Sequence, residues 1–165
     1  MKKNIKIIII LLITSFFSFN LVYAAGSSDD SGGSSGNDKI GLYKKGKKLV
    51  LRAKQQEKKN RIKKAQELYL KAYNIFEKAY AKNKKNADIL NYLGYTLRKT
   101  GNLKKAEIYY LEGLELDAEH LGINEYLGEL YVQTNRIELA KKRLAVLNGC
   151  KCEEYEELKE LIENN

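Results

Sequence analysis

Apolar residues recur at steps of three and four along the chain after residue 39, which places them on one face of an α-helix. The clearest stripe consists of Ile62, Ala65, Tyr69, Ala72, Tyr73, Phe76, Ala79 and Tyr80. No stretch alternates between apolar and polar residues for long enough to indicate a β-strand. Glycine and asparagine occur where the helical pattern lapses, and they mark the turns of a chain that contains no proline. The pattern predicts an all-α fold.

The helical pattern repeats at an interval of 34 residues. Leu93-Gly94 recurs as Leu127-Gly128, and Ala106 recurs as Ala140. Small residues at such positions let the two helices of an antiparallel pair approach closely, while large residues fill the seams between pairs. The repeat therefore predicts a short solenoid of stacked helix pairs.

Residues 87–117 resemble the tetratricopeptide repeat (TPR), which has the same period. The residues that carry the resemblance are Leu90, Leu93-Gly94, Leu97, Ala106, Tyr110 and Gly113. The second copy departs more, since Asn124 stands at the position usually held by tryptophan and Leu147 at the second small position. We expect its packing to be looser or compensated elsewhere. The resemblance implies a TPR-type helical solenoid.

The predicted solenoid domain covers residues 39–165. A degenerate repeat at 39–86 is expected to have an atypical first helix over 42–58 and a lengthened second helix over 61–82. Two better repeats follow at 87–120 and 121–150. A capping helix at 151–165 places Tyr155, Leu158, Leu161 and Ile162 on one stripe, as a solenoid end requires.

The first 38 residues differ in composition from the rest. Residues 1–24 have a basic start and an apolar run, and end in Val22-Tyr23-Ala24, which is typical of a cleavable secretory signal. An uncleaved anchor is the alternative. Residues 25–38 are mostly Gly, Ser and Asp, which predicts a flexible tether. We expect secretion across the inner membrane, to the periplasm.

Three further sequence blocks, at 86–95, 125–129 and 150–158, resemble those of small secreted bacterial TPR proteins. In TPR arrays the first helix of each pair lines a concave groove that takes partner segments. Carried onto this chain, the resemblance implies a partner groove with seven candidate contacts: Asn91, Tyr95, Arg98, Lys99, Glu125, Glu129 and Gln133. The alternative is that Tyr92 and Tyr126 are packing residues and that the charged groups only solvate the surface.

Charge is unevenly distributed along the chain, whose net charge is +9. Residues 39–71 hold thirteen Lys and Arg against two Glu, whereas residues 106–165 hold six basic and fourteen acidic residues. Outside the cytoplasm, a basic segment favours anionic lipid head groups or an acidic partner over nucleic acid. Head-to-tail self-association of basic and acidic ends is another candidate. The simplest alternative is a solvated lysine-rich face.

The two cysteines, Cys150 and Cys152, are separated by one residue between the last repeat and the cap. In an oxidising compartment they could form a disulfide, as a local staple or between molecules, or they could exchange thiols. A zinc site that used both thiols and His120 would lack a fourth ligand, so no metal is expected. The chain has no thioredoxin-like βαβ pattern.

Sequence signatures of enzymes are missing. There is no phosphate-binding loop, no HExxH and no serine in a nucleophile elbow. We therefore expect a non-enzymatic interaction scaffold of the bacterial envelope, without a cofactor, that binds a protein segment in its groove. The alternative is a redox-active accessory protein that works through Cys150 and Cys152.

Overall fold

The structure is a computed structural model that describes residues 35–165, with side chains from Ile40 onward. The predicted signal at 1–24 lies outside the described residues, and so do residues 25–34 of the predicted tether.

Seven helices account for the described chain, and it contains no strand. The all-α prediction is confirmed. The helices are α1 (Ser35–Lys58), α2 (Ile62–Lys82), α3 (Ala87–Lys99), α4 (Leu103–Leu116), α5 (Leu121–Gln133), α6 (Ile137–Leu147) and α7 (Glu153–Glu163). No helix within residues 35–165 is long and apolar enough to span a membrane.

Helix α1 begins at Ser35, whereas the sequence pattern placed the start of the first helix at Leu42 and included residues 35–38 in the tether. Their Gly, Asn and Asp content disfavours a helix in isolation. Once Leu42 and Tyr43 pack against the core, however, each further residue adds a hydrogen bond without the cost of nucleation. The helix therefore extends toward the amino terminus beyond its apolar stripe.

Several turns between helices use glycine or asparagine, as the sequence indicated. Gly101 and Gly149 adopt φ values of 90° and 92°, and Asn135 adopts 59°, in the left-handed region that ends helices. Asn86 begins α3, with its side-chain oxygen accepting a hydrogen bond from the Ile89 amide at 2.9 Å. Asn102 caps α4 in the same way through Lys105.

One glycine on the first helix of each pair lies directly against a large buried side chain. A Cβ at Gly94 would overlap the ring of Tyr110, and one at Gly128 would overlap Leu158. In the degenerate repeat, Gly46 lies in the same way against Phe76. Counting back 34 residues from Gly94 misses Gly46, because the long helices α1 and α2 move this glycine out of the 34-residue register.

The departure from the TPR pattern at Asn124 is compensated, which was one of the two expectations. Its side chain is fully buried, and its amide donates to the carbonyl oxygens of Ala118 and His120 at 3.0 and 3.1 Å. Its own oxygen accepts from Arg143 at 3.2 Å. A buried amide with all these partners replaces the apolar contact that a tryptophan would have made.

The helices stack in pairs, α1 with α2, α3 with α4 and α5 with α6, and α7 packs against the last pair. The first helices also contact one another, in the order α1, α3, α5 and α7. They therefore share one face of the solenoid, which we call the groove.

Candidate functional site: the groove

Three cavities open along the groove, each lined by α1, α3 and α5. The tyrosine pocket lies between Lys47 and Lys54 of α1 and Tyr126 of α5, with a volume of about 330 Å³. The acidic cavity lies at the start of α3 and α5 and extends to α7, with about 460 Å³. The end cavity lies at the other end of these helices, also reaches α7 and has about 430 Å³.

The floor of the tyrosine pocket consists of aromatic rings that pack on the core and on one another. Tyr92 stacks on Phe76 with ring centroids 5.0 Å apart. The ring centroid of Tyr95 lies 4.8 Å from that of Tyr126 and 5.8 Å from that of Tyr69. Tyr92 and Tyr126 are thus packing residues, as in the alternative interpretation. Both residues also line the pocket.

Helix α1 supplies a basic wall to this pocket. The ammonium nitrogen of Lys47 lies 5.4 Å from the ring centre of Tyr43 and 5.8 Å from that of Tyr92. Lys54 lies 5.1 Å from the ring centre of Tyr95. Such cation–π contacts hold ammonium groups near apolar surface without neutralising their charge.

Helices α5 and α7 supply an acidic wall. Carboxylate oxygens of Glu125, Glu129 and Glu157 all lie within 4.8 Å of one another. Glu125 is only 4% exposed. Its burial, and a hydrogen bond with Glu157 beside two further carboxylates, raise the pKa of Glu125 to about 9. These surroundings therefore favour the neutral form of the Glu125 carboxyl.

Ion pairs connect neighbouring repeats at the end cavity. Arg98 lies 2.6 Å from Glu129, and Lys99 lies 2.8 Å from Glu57 of α1. The guanidinium of Arg98 also stands over the ring of Tyr95 at 5.6 Å. These pairs neutralise the charges of the predicted contacts at this end and leave Gln133 as an exposed polar group there.

The seven candidate contacts all line the groove cavities. Asn91 and Glu125 line the acidic cavity, Tyr95 the tyrosine pocket, and Arg98, Lys99, Glu129 and Gln133 the end cavity. Asn91, Tyr95 and Glu125 are 4–6% exposed, so only small parts of these side chains reach the surface. Their role in binding stays a prediction.

Sequence reasoning missed the two outer walls of the groove. Lys47, Val50, Leu51 and Lys54 are spaced as one face of α1, and this spacing was the available signal. The repeat register did not reach α1. It also did not reach α7, where Glu154 and Glu157 face α5.

The carboxylates of the acidic wall could together hold a cation, but the arrangement supports no metal assignment. Glu129 is already paired with Arg98, and burial beside other carboxylates raises the pKa of Glu125. Metal ions bind carboxylates in the ionised form. His120 lies elsewhere, at the start of α5, where it accepts a hydrogen bond from the Ile123 amide and faces Asp88.

Cys150 and Cys152 lie in the turn between α6 and α7, and the structure places their sulfur atoms at bonding distance. The nearby cavity is lined by Lys151, Cys152 and three glutamates, Glu153, Glu156 and Glu157.

Comparison with known proteins identifies the class of fold. Residues 49–119 match the tetratricopeptide repeat family. No curated protein matches the chain significantly in sequence.

Several solved structures are similar in fold. The type III secretion translocator chaperone SycD of Yersinia enterocolitica is 15% identical, with 82% of this chain and all of SycD covered and a TM-score of 0.56. A second SycD structure, in complex with a peptide of the translocator YopD, is 18% identical over 72% of this chain and 86% of SycD, with a TM-score of 0.51. A chain of the CopN–Scc3 complex is 21% identical over 86% of this chain and 82% of its own length, with a TM-score of 0.58. The protein therefore has an all-α, TPR-type solenoid fold.

Proposed function

We propose that the protein is a non-enzymatic interaction scaffold that binds a segment of a partner protein in its groove. The observation that carries this proposal is the tyrosine pocket, an open, largely apolar cavity rimmed by lysines on the face shared by α1, α3 and α5. An apolar cavity with a few charged groups around it is the usual form of a binding site.

The structural neighbours support the proposal by analogy. SycD has been solved with a bound peptide of YopD, and its helical fold is shared by this chain. Because the identity is low, the likeness extends to the fold, and the partner of this protein is a separate question.

The place of action is part of the same proposal. A signal at 1–24 and a tether at 25–38 would deliver the solenoid to the periplasm, as a scaffold of the cell envelope. Intact-mass measurement of the protein from the periplasmic fraction tests this, with a chain that begins at Ala25 as the expected result. A protein that keeps residues 1–24 and stays with the membrane would instead indicate an uncleaved anchor.

In-cell photo-crosslinking tests the groove as the binding surface. A benzoylphenylalanine probe at Leu51 is well placed, since this side chain is 58% exposed and lines the tyrosine pocket. Tyr95 is a poorer position because replacing its buried ring would disturb the core. A probe at Ile108, which is 62% exposed on α4 and lines none of the three groove cavities, is the matched control.

A protein captured at Leu51 and not at Ile108 would support the groove as the working surface. Capture of the same proteins by both probes, or of none at Leu51, would contradict it. Contact of the Lys-rich segment 39–71 with anionic lipid, and head-to-tail self-association, remain separate predictions.

A further inference from the structure

Two neighbouring cavities of the groove, the tyrosine pocket and the acidic cavity, differ in charge but are continuous. The tyrosine pocket and the acidic cavity share Lys47, Tyr92 and Tyr126 as lining residues. A single bound segment can therefore occupy both at once.

Helix α1 supplies the basic groups of the tyrosine pocket. Lys47, Lys48 and Lys54 line the tyrosine pocket and are exposed, and none of them forms an ion pair with another residue of the described chain. Lys47 and Lys54 lie over tyrosine rings, which hold their ammonium groups close to the pocket. Carboxylates of a partner fit this side by charge.

Between the charged sides, the tyrosine pocket is mostly apolar. Val50 and Leu51 of α1 face Tyr92, Tyr95 and Tyr126 across it. Leu51 is more than half exposed although it is a large apolar residue. Covering this surface with one large apolar side chain of a partner is favourable because it removes apolar area from water.

At the α5 and α7 side, the acidic cavity presents acceptors. The carboxyl groups that line it are those of Asp88, Asp117, Glu119, Glu125 and Glu154, against Lys47 and His120. The cavity also contains Asn91, which is 6% exposed and whose side-chain oxygen has no hydrogen-bond partner in the described chain. A lysine or arginine side chain offers only donors, so it matches this set.

We propose that the groove selects a protein segment with separated charges: acidic residues against α1, a large apolar side chain in the tyrosine pocket, and a lysine or arginine in the acidic cavity. This inference rests on the proposed function and adds the order of charges along the partner.

Three synthetic peptides of matched length test the order of charges by titration calorimetry with the full-length protein. The first has glutamates at one end, a central tryptophan and lysines at the other end. The second has the same residues with alternating charges, and the third replaces the tryptophan by alanine. We expect the first to bind about tenfold more tightly than either of the others, because only it satisfies all three regions. Equal affinity of the first two peptides would overturn the proposal.

Charge reversal on the protein tests the assignment of each side. Lys47→Glu with Lys54→Glu should transfer preference to a peptide with lysines at both ends. Glu154→Lys with Glu157→Lys should transfer it to a peptide with glutamates at both ends. The matched control is Lys63→Glu with Lys64→Glu, an equal charge change on exposed positions of α2, and it should leave the order of affinities unchanged. A reversal pair that folds normally by circular dichroism but keeps the original preference would also overturn the proposal.

The outcomes separate this inference from the proposed function. A protein can crosslink at Leu51 through a segment whose acidic and basic residues are intermixed. In that case the proposed charge order is wrong, and the groove remains the binding site. If nothing crosslinks at Leu51 and no peptide binds, both proposals fail.

Discussion

The guanidinium of Arg98 lies 2.6 Å from the carboxylate of Glu129 and joins α3 to α5 at the end cavity of the groove. The Arg98 side chain is 10% exposed and that of Glu129 is 22% exposed. The same guanidinium stands over the rings of Tyr95 and Tyr126 at 5.6 and 5.7 Å. One ion pair therefore connects two repeats and holds two of the rings that line the tyrosine pocket.

Replacing Arg98 by methionine should lower the free energy of unfolding by about 1–3 kcal/mol. The change leaves Glu129 without its cation beside Glu125 and Glu157, and an unpaired, partly buried carboxylate is costly. Urea unfolding measures the loss. Lys141→Met is the control, because its pair with Glu138 is largely exposed and should contribute less than about 1 kcal/mol. A loss for Arg98→Met no larger than the control would show that the pair does not connect the repeats.

The stability of the protein should fall as the pH rises from about 5 to about 9. The pKa of Glu125 is about 9 in the folded protein and near its ordinary 4.5 in the unfolded chain. Over that interval the folded state binds one proton more, so raising the pH favours unfolding. Glu125 faces Glu129 on its own helix and Glu154 and Glu157 on α7, with Arg98 behind Glu129. The other charged or titratable groups around its cavity are those of Lys47, Asp88, Asp117, Glu119 and His120.

The neutral variant Glu125→Gln should remove most of this pH dependence and should be the more stable protein at pH 8. Denaturant midpoints at several pH values measure both effects. The matched control is Glu115→Gln, which removes the same charge from an exposed position of α4. If the two variants show the same pH profile, Glu125 does not hold a proton in the folded state.

Two glycine-to-alanine changes should have opposite signs. Gly94→Ala places a methyl group against the buried ring of Tyr110, which cannot move aside in a filled core, and should cost about 1–3 kcal/mol. Gly41→Ala lies within α1 with open space around it, and should stabilise by about 0.5–1 kcal/mol through helix propensity. Thermal unfolding measures both. A neutral Gly94→Ala would mean that α3 and α4 are less closely packed than described.

Serine at both Cys150 and Cys152 should preserve binding of the charge-separated peptide. Closing so short a loop constrains the unfolded chain only slightly, so the expected loss of stability is about 1–2 kcal/mol. Mass spectrometry of the protein from cells, with and without reductant, tests whether the two cysteines pair with each other. A cellular defect caused by the serine variant but not by Lys47→Glu with Lys54→Glu would favour the redox alternative.

Local sequence patterns determined the fold class and several of the turns between helices. The spacing of apolar residues fixes which face of each helix is buried, and Gly101 and Asn135 fix where helices end, because these signals act over one or two turns of chain. The recurrence of Leu-Gly at 93–94 and 127–128 was enough to indicate stacked helix pairs. The resemblance implied one helical face for the groove, and all seven candidate contacts lie there.

The tertiary structure alone decided the character of the groove. The contact of Gly46 with Phe76, the burial of Tyr95, and the close approach of the Glu125 and Glu157 carboxylates all join residues from different helices. No local pattern encodes the distance between such groups, because it depends on how whole helices pack. Charge follows the same rule: the sequence shows a basic first half and an acidic second half. Only the stacking of α1, α3, α5 and α7 side by side brings the two together as opposite walls of one groove.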